Sequence, residues 1–372
     1  MPVRCEKLIT WLEEWAPKFL AQEGDRTGLL IGSRSGVIEK VLVALEVTEE
    51  VVNEAVDVGV QLIVSHHPLF RDPLSSLPFD TFPTSLIARL VQAGIHLYVA
   101  HTNLDAAPGG VSDVLARRLG LAELELLLPT RIEKLYKVVV FVPQGYEDAV
   151  REAMCSRGAG WIGNYSECTF QTEGTGTFRP LPGSDPFLGR VGELEKAREF
   201  RLETIVPEEK LSRVLEAMLQ AHPYEEVAYD VYPLWNQGRC YGFGRVGKLP
   251  EPVSLDRFAG EVKRLLELKM VRVIGDPGRI VKKVALCGGS GMSLLARALK
   301  AGADVYLTGD VRHHEALEAK AHGIAVVDAG HHGTEWVVVP VLAGYLRERA
   351  EKEKVELEVL VSRVNTDPFL YF

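Results

Sequence analysis

The sequence predicts an α/β protein: two related α/β halves, residues 1–128 and 246–372, form one domain, and a small α+β domain, residues 129–245, is inserted between them. Three observations predict it. In the first and last thirds, short apolar runs alternate with helical periodicity, the pattern of βαβ units around a mostly parallel sheet. In the middle third the order becomes strand, helix, strand, loop, strand, helix, strand, which suggests a ferredoxin-like module. Several apolar runs of the outer thirds end in histidine or aspartate, and open α/β sheets bind ligands at such carboxyl ends.

Composition bounds the reading. The 372 residues allow two or three domains. An apolar fraction of 47% and a charged fraction of 25% are ordinary for a soluble globular protein. No apolar run reaches the roughly 20 residues of a membrane span, and Met1–Lys7 leads into an amphipathic pattern without a signal-peptide core. No membrane partner is expected. A net charge of −9 speaks against nucleic acid as a partner. Cys5, Cys155, Cys168, Cys240 and Cys287 are scattered, odd in number and without a CxxC pair, which fits a reducing cytoplasm.

The elements follow in order. Leu8, Ile9, Trp11, Leu12 and Trp15 recur at helical spacing, so a helix is expected over 4–20. Residues 28–32 read as a short strand or turn and 40–46 as a strand. Thr48 then caps a helix with Val51, Val52 and Ala55 on one face. Gly59 ends it, and 61–65 is the next strand. A helix over 84–93, a strand over 95–100 and a helix over 112–119 complete the first half. The middle segment has strands at 136–142, 161–171, 200–206 and 227–232 and helices at 147–158 and 208–221, with a Gly/Pro-rich loop at 174–184. In the last segment, strands at 281–288, 304–308 and 324–328 alternate with helices at 293–301 and 314–321. A long helix over 334–352 and a strand over 355–361 close the chain. Ala55–Ser65 resembles Ala298–Thr308, and Ala93–Ala100 can be laid on His322–Ala329, a faint internal repeat.

The chemistry-bearing residues sit at strand ends. Val64-Ser65-His66-His67-Pro68 closes one apolar run, His101-Thr102-Asn103-Leu104-Asp105 the next, and Ala329-Gly330-His331-His332 with Glu335 a third. His331 and Glu335, four apart at a helix start, share one face. The adjacent His66 and His67 should diverge, which suits two metals better than one. Three imidazoles and two carboxylates exceed the three protein ligands of a catalytic zinc. They suit a two-metal site with open positions, and zinc, iron, manganese or cobalt all accept such a nitrogen and oxygen set. Gly174–Phe178 lacks both the Lys-Ser/Thr of a P-loop and the GxGxxG spacing, so it is not read as a phosphate cradle. His222-Pro223-Tyr224-Glu225-Glu226 reads as a solvated turn.

His66-His67-Pro68, His101 to Asp105, Thr308-Gly309-Asp310 and Asp328 to His331 with Glu335 together resemble the Nif-three-like family, whose bacterial members are often labelled GTP cyclohydrolase I type 2 homologues. The resemblance covers the whole chain. The stretches Thr175–Pro180 and His222–Glu226 are like the PII/CutA-like insert of its long members. It implies two divalent metal ions per subunit: His67 and Asp105 on one, His66 and His331 on the other, and Glu335 bridging. His101 matches a position outside that ligand set, either supporting a ligand or acting as a general base. His332 stands where the family often has other residues and is not expected to bind. His313 and His314 lie near the site if the repeat holds, and otherwise start a solvated helix. The resemblance further implies a toroidal homohexamer. The expected function is a metal-dependent hydrolase of a nucleotide or related phosphorylated metabolite. The alternative is a non-catalytic, metal-binding regulator whose insert senses a small ligand.

Overall fold

The structure, a computed structural model, describes residues 2–370. The chain forms two compact units, one from the residues up to Arg131 together with those from Tyr241 onward, the other from Ile132–Cys240.

In the first unit, Lys40–Ala44, Leu62–Ser65 and His96–Val99 are parallel neighbours, linked by helices Glu49–Asp57 and Thr84–Gln92. Every residue of Leu62–Ser65 is buried, as a central strand covered on both faces requires. Gly28–Ile31 pairs antiparallel with His96–Val99. Glu358–Val361 returns from the far end of the chain to lie parallel to Lys40–Ala44. A second sheet has a similar succession. Ile280–Leu286, Val305–Thr308 and Ala325–Asp328 run parallel, linked by helices Leu295–Lys300 and His313–Ala321. Arg272–Ile274 lies antiparallel at one edge, and Cys240–Ser254 followed by Ala122–Ile132 at the other.

Helices cross between the two sheets. Val338–Lys352 follows the strands of the second sheet but packs on the first, where Leu342 and Leu346 share a core with Trp11 and Val64. Val111–Arg118 follows the strands of the first sheet but packs on the second, where Leu115 and Ala116 meet Phe258, Val284 and Leu307. Each sheet is therefore finished by chain that comes from the other. No helix among the described residues is long and apolar enough to cross a membrane.

The second unit is a four-stranded antiparallel sheet in the order Tyr229–Pro233, Leu135–Pro143, Glu195–Pro207, Thr169–Phe178. Helices Glu147–Ser156 and Leu211–Ala221 cover one face, with Val150, Met154, Val214 and Met218 against Val138, Val140, Val142 and Leu202.

Several expected elements differ. The opening helix runs over Cys5–Trp15 and stops at Ala16, because Pro17 disfavours a helical residue before it. The stretch Gly174–Phe178 is not a loop but the end of strand Thr169–Phe178. Gly176 is needed there because a Cβ would lie 1.9 Å from Oε2 of Glu199 on the neighbouring strand. The closing helix is broken at Trp336-Val337 into His331–Glu335 and Val338–Lys352. Residues 102–106, for which no element is expected, form a helical turn.

Candidate metal centre

The site assembles where parallel strands end. His66 and His67 follow Leu62–Ser65. His101 follows His96–Val99 after Ala100 and Asp105 sits one helical turn on, while His331 and Glu335 follow Ala325–Asp328. All belong to the first unit. Three sets of side chains bring their donor atoms within 4.8 Å of one another: His66, His67 and His101; His67, His331 and Glu335; His66, Asp105 and Glu335. All six candidate residues are thus in one cluster. The grouping differs from that implied by the resemblance, since His67 joins His331 and His66 joins Asp105. Glu335 is common to both carboxylate-bearing sets.

The two adjacent histidines do not diverge. Their ring centroids are 4.9 Å apart. The strand has ended at Ser65, whose hydroxyl donates to the carbonyl of His67 at 2.8 Å, and this turn replaces strand alternation.

Each imidazole is oriented from behind. Nδ1 of His66 donates to the carbonyl of Ala100 at 2.7 Å. Nδ1 of His67 meets Glu46 at 3.1 Å, Nδ1 of His101 meets Asp25 at 2.8 Å, and Nδ1 of His331 meets Asp310 at 2.6 Å. Each of these partners is an acceptor, so each Nδ1 carries a proton and each Nε2 is left to face the site. Nε2 of His67 and Nε2 of His331 lie 2.9 and 3.1 Å from Oε2 of Glu335, and Nε2 of His66 lies 3.6 Å from Asp105. Nε2 of His66 is buried without a hydrogen-bond partner. That buried, unpartnered nitrogen beside two carboxylates fits a bound cation.

Titration behaviour follows from this crowding. Burial drives His66 down to about 3, so it stays neutral. Burial also opposes charge on His67, but Glu335 and Glu46 outweigh it and raise the group to about 10. Glu335 raises His331 to about 9. Burial acts to raise Glu335, but His331 and His67 hold it below the usual carboxylate range. Burial, then the Glu335 charge, hold Asp105 well above that range.

Backbone shape matters as well. Gly289, at φ +63°, leaves space that a Cβ would fill 2.1 Å from Oε1 of Glu335. Gly330 enters the His331–Glu335 turn at φ 75°.

His222, His313, His314 and His332 lie outside these sets. His332 stacks on Trp336, with ring centroids 5.5 Å apart and planes 12° apart. His313 and His314 start an exposed helix and belong to none of the three sets. His222, in the second unit, donates through Nε2 to the carbonyl of Phe141 at 3.0 Å and accepts at Nδ1 from the amide of Tyr224 at 3.1 Å, so it fastens a turn. Asp25 and Glu46 are not among the residues that the sequence singles out. Glu46, just past the end of strand Lys40–Ala44, carried the strand-end signal used for the histidines; Asp25 carried none.

The chain matches the Duf34/NIF3 (NGG1p interacting factor 3) family over residues 3–368. It belongs to the Duf34/NIF3 family. Among Duf34/NIF3 relatives, a GTP cyclohydrolase 1 type 2 homolog of Halalkalibacterium halodurans is 45% identical over 370 residues, covering 98% of each chain. One from Bacillus subtilis is 43% identical over 369 residues, covering 99% of each. The crystal structure of a Bacillus cereus protein related to NIF3 superposes with a TM-score of 0.91 at 44% identity, covering 100% of this chain and 99% of that one.

Proposed function

We propose that His66, His67, Asp105, His331 and Glu335 hold two divalent ions of zinc, iron, manganese or cobalt, shared through Glu335, and that the protein hydrolyses a nucleotide or related phosphorylated metabolite. One observation carries this reading. Three imidazoles, His66, His67 and His331, have Nδ1 committed to acceptors and bring Nε2 to the carboxylates of Asp105 and Glu335. Two such ions supply Lewis acidity for hydrolysis when bound. The chain's own groups do the rest. Glu46 and Asp310 keep His67 and His331 in one tautomer. His101, held by Asp25, takes up a proton at Nε2 during attack by water. The names of the Halalkalibacterium halodurans and Bacillus subtilis relatives point to GTP as the first substrate to try.

The strand order of the second unit, β-α-β-β-α-β, supports a ferredoxin-like insert, and the matching succession of the two sheets supports related halves. A homohexamer belongs to the same proposal, with light scattering as its check.

The deciding experiment measures metal content and GTP turnover of metal-loaded protein, metal-stripped protein and Glu335→Gln. Two ions per chain are expected in the loaded protein, and turnover falls away in the other two. Equal turnover with and without metal would sink the hydrolase reading. Full metal with no turnover of any nucleotide or phosphoester would favour the regulatory alternative.

A further inference from the structure

A cavity of about 1150 Å³ opens beside His67 and His331, room for a molecule of nucleotide size. Its acidic lining is largely spent. Glu46 serves His67 and Thr366, Asp310 serves His331, Asp328 binds Arg272, and Glu267 binds Arg118. Arg71, Lys269 and Arg363 line the same cavity, and their cationic groups have no hydrogen bond or ion pair among the described residues. Among the described residues, Asp367 is the one lining acid with no hydrogen bond or ion pair to a cation or histidine. Uncommitted charge on the wall is therefore three positive against one negative.

Two of these cations are tied to the metal cluster through the chain. Arg71 stands four residues beyond His67. Arg363 lies in the segment whose Thr366 hydroxyl bonds Glu46, the partner of His67. The rest of the lining includes the apolar side chains of Leu268, Met270 and Trp336.

We propose that Arg71 and Arg363 grip a phosphate of the substrate while its uncharged portion lies on the apolar wall, so that the cavity selects a phosphorylated small molecule. This rests on the hydrolase reading of the metal cluster. A guanidinium offers a planar fork of donors that fits phosphate oxygens two at a time, and an unpaired one forgoes no existing ion pair on binding.

Calorimetry on metal-loaded protein tests it with three probes: GTP, inorganic pyrophosphate and guanosine. Arg71→Gln and Arg363→Gln should each weaken GTP and pyrophosphate roughly tenfold or more. Guanosine affinity and metal content should stay at the wild-type level. Arg363→Lys should recover part of the loss, since it restores the charge without the fork. Wild-type protein that binds GTP no better than guanosine would overturn the proposal, as would glutamine variants that bind GTP as wild type does. Metal content and turnover separate the two readings. Arginine-dependent GTP binding in a chain that takes up no metal would sink the hydrolase and leave the phosphate grip. Metal-dependent turnover indifferent to both arginines would do the reverse.

Discussion

Four acceptors determine what the histidines can do. For His66 the acceptor is the backbone carbonyl of Ala100, which substitution of a side chain cannot remove. For His67 and His331 it is a carboxylate, Glu46 or Asp310, so their contributions are open to test. Glu46→Gln and Asp310→Asn keep the shape but remove the charge that holds the Nδ1 proton and raises ligand basicity. Metal affinity, read by competition with a chelator, should fall about 10- to 100-fold in each, with the fold intact. Unchanged affinity would mean that these carboxylates only pack. Gly289 makes a harsher case. An added methyl would stand 2.1 Å from Oε1 of Glu335, at a φ of +63° that alanine adopts reluctantly. Glu335 is 4% exposed and lies against His67 and His331, so it has little room to retreat. Gly289→Ala should reduce the metal bound per chain by elemental analysis; full occupancy in that variant would show that Glu335 can shift without losing its ligand role.

At the scale of elements, glycine again separates two readings. Gly176 sits in strand Thr169–Phe178, paired with Ala197 of Glu195–Pro207. Its missing side chain leaves room for the buried carboxylate of Glu199, which also accepts from the hydroxyl of Tyr224 at 2.9 Å. Gly176→Ala should therefore cost about 1–3 kcal/mol by overpacking, seen as a lower urea midpoint, with metal content unchanged. A phosphate cradle would behave otherwise: stability would hold and anion binding would fall. The sequence could not show this, because the reason for Gly176 lies at residue 199 on another strand. The same distinction explains what was legible. Apolar runs ending in His66-His67, in His101 with Asp105 and in His331 with Glu335 are local patterns, and strands and candidate donors were readable from them. The Thr48 cap, accepting from the amide of Val51, is equally local. Asp25 reaches His101 across 76 positions and Asp310 reaches His331 across 21, and no local pattern encodes such a meeting. The long strands Ala122–Ile132 and Cys240–Ser254 escaped for a related reason. Their residues are chosen by pairing across the chain rather than by alternation.

On the scale of the whole molecule, the first unit is interrupted in sequence but closed in space. The chain leaves it at Arg131 and returns at Tyr241. The strands that carry it out and back are neighbours in one sheet. Thr130 donates to the carbonyl of Tyr241 at 3.4 Å, and the carbonyl of Leu128 lies 2.0 Å from where a Cβ on Gly242 would stand. Arg245, just beyond the return, is buried and forks onto Asp113 at 2.7 and 2.5 Å, while donating to the carbonyls of Gly242 and Gly244. A buried guanidinium with its donors so fully used ties the returning strand to helix Val111–Arg118 of the same unit. All six residues of the metal cluster, and the acceptors that orient them, also lie outside that unit. Replacing residues 133–239 by Asn-Gly would thus exchange one compact unit for a short turn between adjoining strands. The shortened chain should fold cooperatively and bind the same number of metal ions per chain as the full one, measured by thermal melting and elemental analysis. A shortened chain that folds but binds no metal would show that the second unit shapes the cluster from a distance. One that fails to fold would show that the sheet edge formed by Ala122–Ile132 and Cys240–Ser254 depends on it.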